Sequence, residues 1–158
     1  MTFPATWVGI DPGAKGAMCS INEHNEIVFL DYAKEGIIGY SDRLQYLLKT
    51  ANIKHVCIEQ VHAMPGQGVK SMFSFGQRFG ELIGMLQALK IGYSLLPPRE
   101  WQKMMKITDK SGKKGTFDKL SEMYPTQLKQ LVGIKGGILD GRCDALGIAS
   151  AARIKFNK

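Results

Sequence analysis

The sequence predicts an α/β fold, a mixed sheet flanked by helices, and three features carry that prediction. Short β-rich runs open the chain, a nearly continuous apolar run interrupted by one carboxylate follows at residues 55–61, and helical and strand patterns alternate from there to the end.

Trp7 to Asp11 reads as a strand that stops at Pro12-Gly13, and Ala17 to Ile21 makes a second strand, so the two form a hairpin. Asn22 to Asn25 supplies turn residues and Ile27 to Tyr32 returns as a third strand, completing an antiparallel meander. Ser41 is the expected N-cap of a first crossover helix with Leu44, Leu47 and Leu48 on one face. His55 to Val61 is the expected central strand, buried on both faces. The proline and glycines of MPGQG exclude regular structure, and a longer helix runs from about Ser71 to Lys90. Its Gly76, Gly80 and Gly84 recur every four residues and are expected to pack closely on a neighbouring sheet or helix.

Tyr93 to Leu96 is a further strand, ended by Pro97-Pro98, with Pro98 placed to open a short helix through Lys106. A polar loop is expected from Thr108 to Thr116, then a helix that Pro125 breaks or restarts, and a loop from Gly133 to Gly137. Asp140 to Ile154 is the terminal helix, with Leu146, Ile148, Ala149 and Ala152 on its buried side.

At 158 residues and 44% hydrophobic, the chain can bury one substantial core, and a single domain over 1–158 is expected. The formal charge of +7 favours a polyanionic partner, nucleic acid before an acidic membrane surface, because basic side chains on phosphates release condensed counterions. No apolar run approaches membrane-spanning length, and MTFPATW lacks a basic segment followed by an apolar one. A soluble, cytoplasmic protein that is not secreted is expected. Cys19, Cys57 and Cys143 are odd in number and lack CxxC spacing, which reads as buried free thiols in a reducing compartment rather than a zinc site.

The chemistry concentrates in four acids. Asp11 ends an apolar strand and Glu59 interrupts VCIEQV, and each carboxylate costs several kcal/mol to desolvate unless it is paired or ligates a metal. Either alone could be a strand-end residue reaching water or a nearby Lys, whereas adjacent strands would set the two heads side by side. Asp140 and Asp144 are four apart on the terminal helix, so they leave one face about 6 Å apart. Asp140 alone could be an N-cap; Asp144 lies too far inside the helix for that. Four such carboxylates together would repel, and hard oxygen donors suit Mg²⁺ or Mn²⁺ better than zinc. A pair of ions about 3.5–4 Å apart hydrolyses phosphodiesters without a Ser, Cys or His nucleophile.

The blocks WVGIDPGAKGA, VCIEQVHAMPGQGVKSMFSFGQRFGELIGML and LDGRCDALGIA, in that order, resemble the RuvC-type Holliday junction resolvases, especially the phage-like and organellar members. The resemblance implies an RNase H-like mixed five-stranded sheet flanked by helices, a homodimer, two Mg²⁺ ions per active site with Mn²⁺ able to substitute, and paired symmetric incisions across a four-way DNA junction. It implies no membrane partner and no small-molecule cofactor. Asp11, Glu59, Asp140 and Asp144 match the family's acidic metal ligands. The terminal acids are spaced DGRCD here, where bacterial housekeeping members have DxxD, and His62 stands where those members carry an aromatic that stacks at the junction.

Arg99 to Lys119 holds the strongest local charge bias, with Lys113 and Lys114 bracketed by Gly112 and Gly115 in a loop expected to be flexible and to reach phosphates. By resemblance, Lys103 and one of Lys113 or Lys114 lie near the scissile phosphate and join the catalytic set. The expected DNA-contacting residues are His62, Lys70, Arg78, Arg99, Lys103, Lys110, Lys113 and Lys114. SGKKGT is not a P-loop and GQGVKS is not a dinucleotide fingerprint, since both lack the required spacing. Phe73, Phe75 and Phe79 read as core or dimer packing. A flap or RNA-hybrid nuclease, and an inactive junction-binding protein, are the alternatives; the intact acidic set opposes the last, because a mere binder would gain phosphate affinity by shedding those charges.

Overall fold

The computed structural model describes residues 2–108 and 112–158, and Lys110, expected to contact DNA, lies outside them. Five strands form one mixed sheet: β1 (Ala5–Ile10), β2 (Ala17–Asn22), β3 (Ile27–Asp31), β4 (Asn52–Glu59) and β5 (Tyr93–Leu96), in the order β3-β2-β1-β4-β5. The expected meander is present, β1 to β2 and β2 to β3 being antiparallel, and β4 runs parallel to both β1 and β5. The middle place belongs to β1 rather than to the run at 55–61. That run begins earlier, at Asn52, and stops at Glu59, after which the chain leaves the sheet.

Each sheet face buries its own core, because alternate strand residues point to opposite sides. Trp7, Cys19 and Cys57 face α5 (Asp140–Lys155), and Val8, Ile10, Met18, Val56 and Ile58 face α1 (Tyr32–Thr50) and α2 (Val69–Ala88). Gly9 lets α5 lie directly on β1. A Cβ there would stand 2.3 Å from the Ala149 backbone nitrogen, a distance no side chain survives. Leu146, Ile148, Ala149 and Ala152 are buried as expected, and Ala145, Ser150 and Ala151 are too, because α5 is covered on its outer side by Trp101 of α3 (Pro98–Met104) and Leu120 of α4 (Gly112–Met123). The three cysteines are buried free thiols, as expected.

Several boundaries differ from expectation. Ser41 caps nothing: α1 starts at Tyr32 immediately after β3, kinks at Gly36 (φ 62°), and carries Ser41 in its interior, where the hydroxyl accepts a hydrogen bond from Gln45 Nε2. Leu44 and Leu47 are buried, whereas Leu48 points outward. Gly76, Gly80 and Gly84 pack on nothing among the described residues outside their own helix; a Cβ at each would meet none of their atoms within 4 Å. The helix is held instead through Leu82, Met85 and Leu86. Pro98 opens α3 as predicted, but Lys113 and Lys114 sit in the first turn of α4 rather than in a loop. Burial of Thr116 and Leu120, one turn apart, gives that segment the amphipathic spacing of a helix. After a 3₁₀ turn at Pro125–Gln130, a Val132–Ile138 bridge closes the loop that leads into α5. Among the described residues no helix is long and apolar enough to cross a membrane.

Candidate active site

The parallel register of β1 and β4 pairs Ile10 with Ile58, so Asp11 and Glu59 are the next residues on adjacent strands. Neighbouring strands lie about 4.8 Å apart, so both carboxylates leave the same end of the sheet. Pro12 and Gly13 turn the chain there. Asp11 Oδ1 accepts a hydrogen bond of 3.0 Å from the Gly13 amide, and the Asp11 amide donates to the Ala17 carbonyl, which fixes the turn that opens β2. Glu59 Oε2 accepts a 2.8 Å hydrogen bond from the indole nitrogen of Trp101, whose ring is wholly buried.

The first turns of α5 bring Asp140 and Asp144 to the same end. Leu139, not Asp140, occupies the cap position, and Asp140 is the first helical residue. Its carboxylate pairs with Lys113 Nζ at 2.9 Å. Among the described residues, none donates a hydrogen bond to Asp144.

The electrostatics bind the four acids into one unit. Asp144 is pushed up to about 8, first by burial and then by the negative charges of Asp11, Glu59 and Asp140, with Lys113 opposing. Burial also raises Glu59, against the indole hydrogen bond, with Asp11 adding to the rise. Asp11 is raised by burial, against the Gly13 amide, with Asp140 adding. The site is therefore short of positive charge, and Lys113, raised by its hydrogen bond to Asp140, is the side chain that partly supplies it.

This donor set fits a hard divalent cation: four oxygen ligands, with the neighbouring Cys143 thiol held protonated by a rise to about 12. Among the described residues no three such heads are already drawn into an ion cage, since Asp11, Glu59 and Asp140 are each turned onto a protein donor.

Asp11, Asp140 and Asp144 open on a cleft of about 630 Å³ whose basic lining is Lys15, Lys113 and Arg142. Lys113 and Asp144 also border a smaller hollow of about 250 Å³, which continues past Ile107 and Thr108 to a third lined by Arg99, Lys103 and Lys106. Lys103 and Arg99 thus stand beyond Lys113 rather than among the carboxylates, and Lys114 is exposed on the turn beside it. His62 and Arg78 line a separate hollow of about 440 Å³ between the chain after β4 and α2, walled by Phe75 and Phe79. Lys70 is exposed at the start of α2. Phe79 packs against the core and stacks on Phe75 at 5.9 Å, while Phe73 is 71% exposed.

Sequence reasoning missed three residues. Trp101 reads as an ordinary core aromatic until its indole is seen on Glu59. Arg142, inside DGRCD, makes a two-pronged pair of 2.8 and 2.7 Å with Asp31 and donates to the Gln130 carbonyl, clamping the first turn of α5 to the end of β3. A basic residue between two acids was the available signal. Lys15, three residues past the Asp11-Pro12 corner, gave none.

No protein-family profile and no curated protein matches the chain. Solved structures do. Thermus thermophilus RuvC in complex with Holliday junction substrate is similar over 93% of this chain and 91% of that one, with a TM-score of 0.55 at 16% identity. A second Thermus thermophilus RuvC structure covers 96% and 97% respectively, with a TM-score of 0.55 at 17% identity. The yeast mitochondrial Holliday junction resolvase Ydc2 is similar over 96% of this chain and 79% of its own, with a TM-score of 0.53 at 18% identity. At such identities the likeness is one of fold. It is the RNase H-like mixed sheet with flanking helices that the sequence led us to expect.

Proposed function

We propose that this chain is a Mg²⁺-dependent endonuclease that resolves four-way DNA junctions by paired hydrolysis of phosphodiesters. The observation that carries the reading is the convergence of Asp11 and Glu59 from adjacent strand ends with Asp140 and Asp144 from the first turns of α5, at one end of a sheet whose fold is like that of RuvC and Ydc2. A cluster this short of positive charge is costly to keep unless a cation answers it.

Asp11, Glu59, Asp140 and Asp144 would hold two Mg²⁺ ions, with Mn²⁺ able to substitute; bound there, such ions supply an activated water and charge stabilisation for the departing oxygen. The chain's own side chains do the remainder. Lys113 and Lys15 line the cleft and bind phosphate oxygens, and the Arg142–Asp31 pair keeps the first turn of α5 fixed while they do so. Arg99, Lys103 and Lys106 continue the basic track away from the cut. The net charge of +7 draws the polyanion in.

Paired cuts need two copies of the site, and α2 supports a homodimer. Val69, Met72 and Phe73 are exposed on its first turns, beside the open Gly76 and Gly80, where a second helix could approach closely. Separate hydrophobic side chains on a surface are ordinary, but a run of them with small residues between is what an interface uses.

Labelled four-way, three-way, flap, linear duplex and RNA–DNA hybrid substrates, incubated with Mg²⁺ and mapped for cut positions, test this reading. Symmetric nicks in the four-way junction, with the other substrates cut far more slowly, are expected. Equal cutting of flaps or hybrids would move the assignment to a broader nuclease, and binding of junctions with no cutting in Mg²⁺ or Mn²⁺ would reduce it to a junction-binding protein.

A further inference from the structure

We infer that Trp101 is a positioning residue for the metal centre, acting through Glu59 and tying that carboxylate to the helix that carries Asp144. The inference rests on the reading above. Trp101 belongs to α3, well separated in sequence from either acid, and its ring is wholly buried, so it touches neither substrate nor solvent.

Two contacts define its role. Its indole nitrogen donates to Glu59 Oε2 at 2.8 Å. Its six-membered ring lies under Gly147, one turn beyond Asp144 on α5, so closely that a Cβ on Gly147 would fall 2.6 Å from the ring. One rigid side chain therefore sets the end of β4 against α5, and with them Glu59 against Asp144. An indole has a single donor and no acceptor, so it donates to a carboxylate oxygen and cannot accept the hydrogen of a protonated carboxyl. It favours the charged form of Glu59, against the burial that raises this group, and engages one of its two oxygens. The other accepts no hydrogen bond from the described residues. Partners of this kind, which orient a ligand without being one, change metal affinity about 10- to 100-fold when removed.

The alternative is that Trp101 only fills space beneath α5. A packing role and a positioning role differ in what they do to metal binding. Thermal melts across a Mg²⁺ series give the concentration at half-maximal stabilisation, measured for the wild-type chain, for Trp101→Phe, and for a chain in which 3-benzothienylalanine replaces Trp101 by codon suppression. The last keeps the bicyclic shape and replaces the N–H by sulfur, so the test survives if the Phe variant folds poorly. In parallel, ¹⁵N spectra follow both indole groups; Trp7, whose indole donates to the Phe156 carbonyl at 3.0 Å, is the internal reference at the other end of the sheet.

The expected result is a midpoint for Mg²⁺ raised about 10-fold in both variants, with the Trp101 indole signal, and not that of Trp7, moving as Mg²⁺ is added to wild type. Midpoints equal to wild type, whatever the change in melting temperature without metal, overturn the inference and leave the nuclease reading in place. A wild-type chain that Mg²⁺ neither stabilises nor activates for cutting overturns both.

Discussion

Lys113 Nζ lies 2.9 Å from Asp140 Oδ2, joining the first turn of α4 to the first residue of α5 at the lip of the acidic cleft. The pair is exposed, Lys113 at 79% and Asp140 at 38%, so it adds little to folding stability. Its value lies in chemistry. Lys113→Ala should leave the melting temperature almost unchanged, yet flatten the salt dependence of junction binding by roughly 1 unit in the log–log slope and lower single-turnover cleavage. Binding across a salt series in Ca²⁺ and cleavage in Mg²⁺ read the two effects separately. An unchanged slope and rate together would remove Lys113 from the site.

The acids predict how the metal-free protein responds to pH. Asp144 is raised to about 8 in the folded chain, and Asp11 and Glu59 are raised as well, so between about pH 4 and 8 the folded state holds protons that the unfolded state has released. Stability therefore falls as pH rises through that window, and is fully present only below the unfolded values. Urea denaturation in EDTA from pH 5 to 9 should show the decline, Asp144→Asn should flatten it, and Mg²⁺ should abolish most of it. A stability that rises steadily with pH in EDTA contradicts the cluster.

Gly9 is required by the contact between β1 and α5. A methyl there would meet the Ala149 nitrogen at 2.3 Å and the Ala145 carbonyl oxygen at 2.4 Å, both backbone atoms that no rotamer can move aside. Gly9→Ala should cost about 3 kcal/mol or fail to fold, the upper end of overpacking effects. Gly76→Ala, with no atom of the described residues outside its own helix within 4 Å, should leave the isolated fold intact. Equal urea midpoints for Gly9→Ala and wild type would show that α5 does not sit on β1 as described.

The exposed ring of Phe73 tests the proposed dimer. Phe73→Glu should shift the chain toward monomer in sedimentation equilibrium and uncouple the two incisions, leaving singly nicked junctions to accumulate. A wild-type chain that is monomeric both free and on junction DNA would contradict the arrangement.

What could be read from the sequence follows from which forces are local. The meander, the strand carrying Glu59 and the buried stripe of α5 were legible because strand alternation and helical periodicity record one-sided burial. The start of α1 was not, because no side chain caps it and its kink rests on a backbone conformation at Gly36. The segment holding Lys113 looked like a loop because two glycines and two lysines outweighed the Thr116–Leu120 spacing. Its amphipathic face matters only once α5 lies beneath it. The four acids could be named from chain chemistry and resemblance, but the Trp101–Glu59 and Arg142–Asp31 contacts span 42 and 111 residues and exist only in the folded chain.

Single-turnover cleavage of a labelled four-way junction by Asp144→Asn, set beside wild type in Mg²⁺ and accompanied by binding in Ca²⁺, tests the central claim most directly. Asp144 receives no hydrogen bond among the described residues and is pushed up to about 8 by burial and by its acidic neighbours, so its removal changes the centre while disturbing little of the fold. The account predicts cleavage reduced to background with junction affinity retained, since these carboxylates hold cations rather than DNA. Cutting at the wild-type rate would show that the acidic cleft is not where the chemistry occurs.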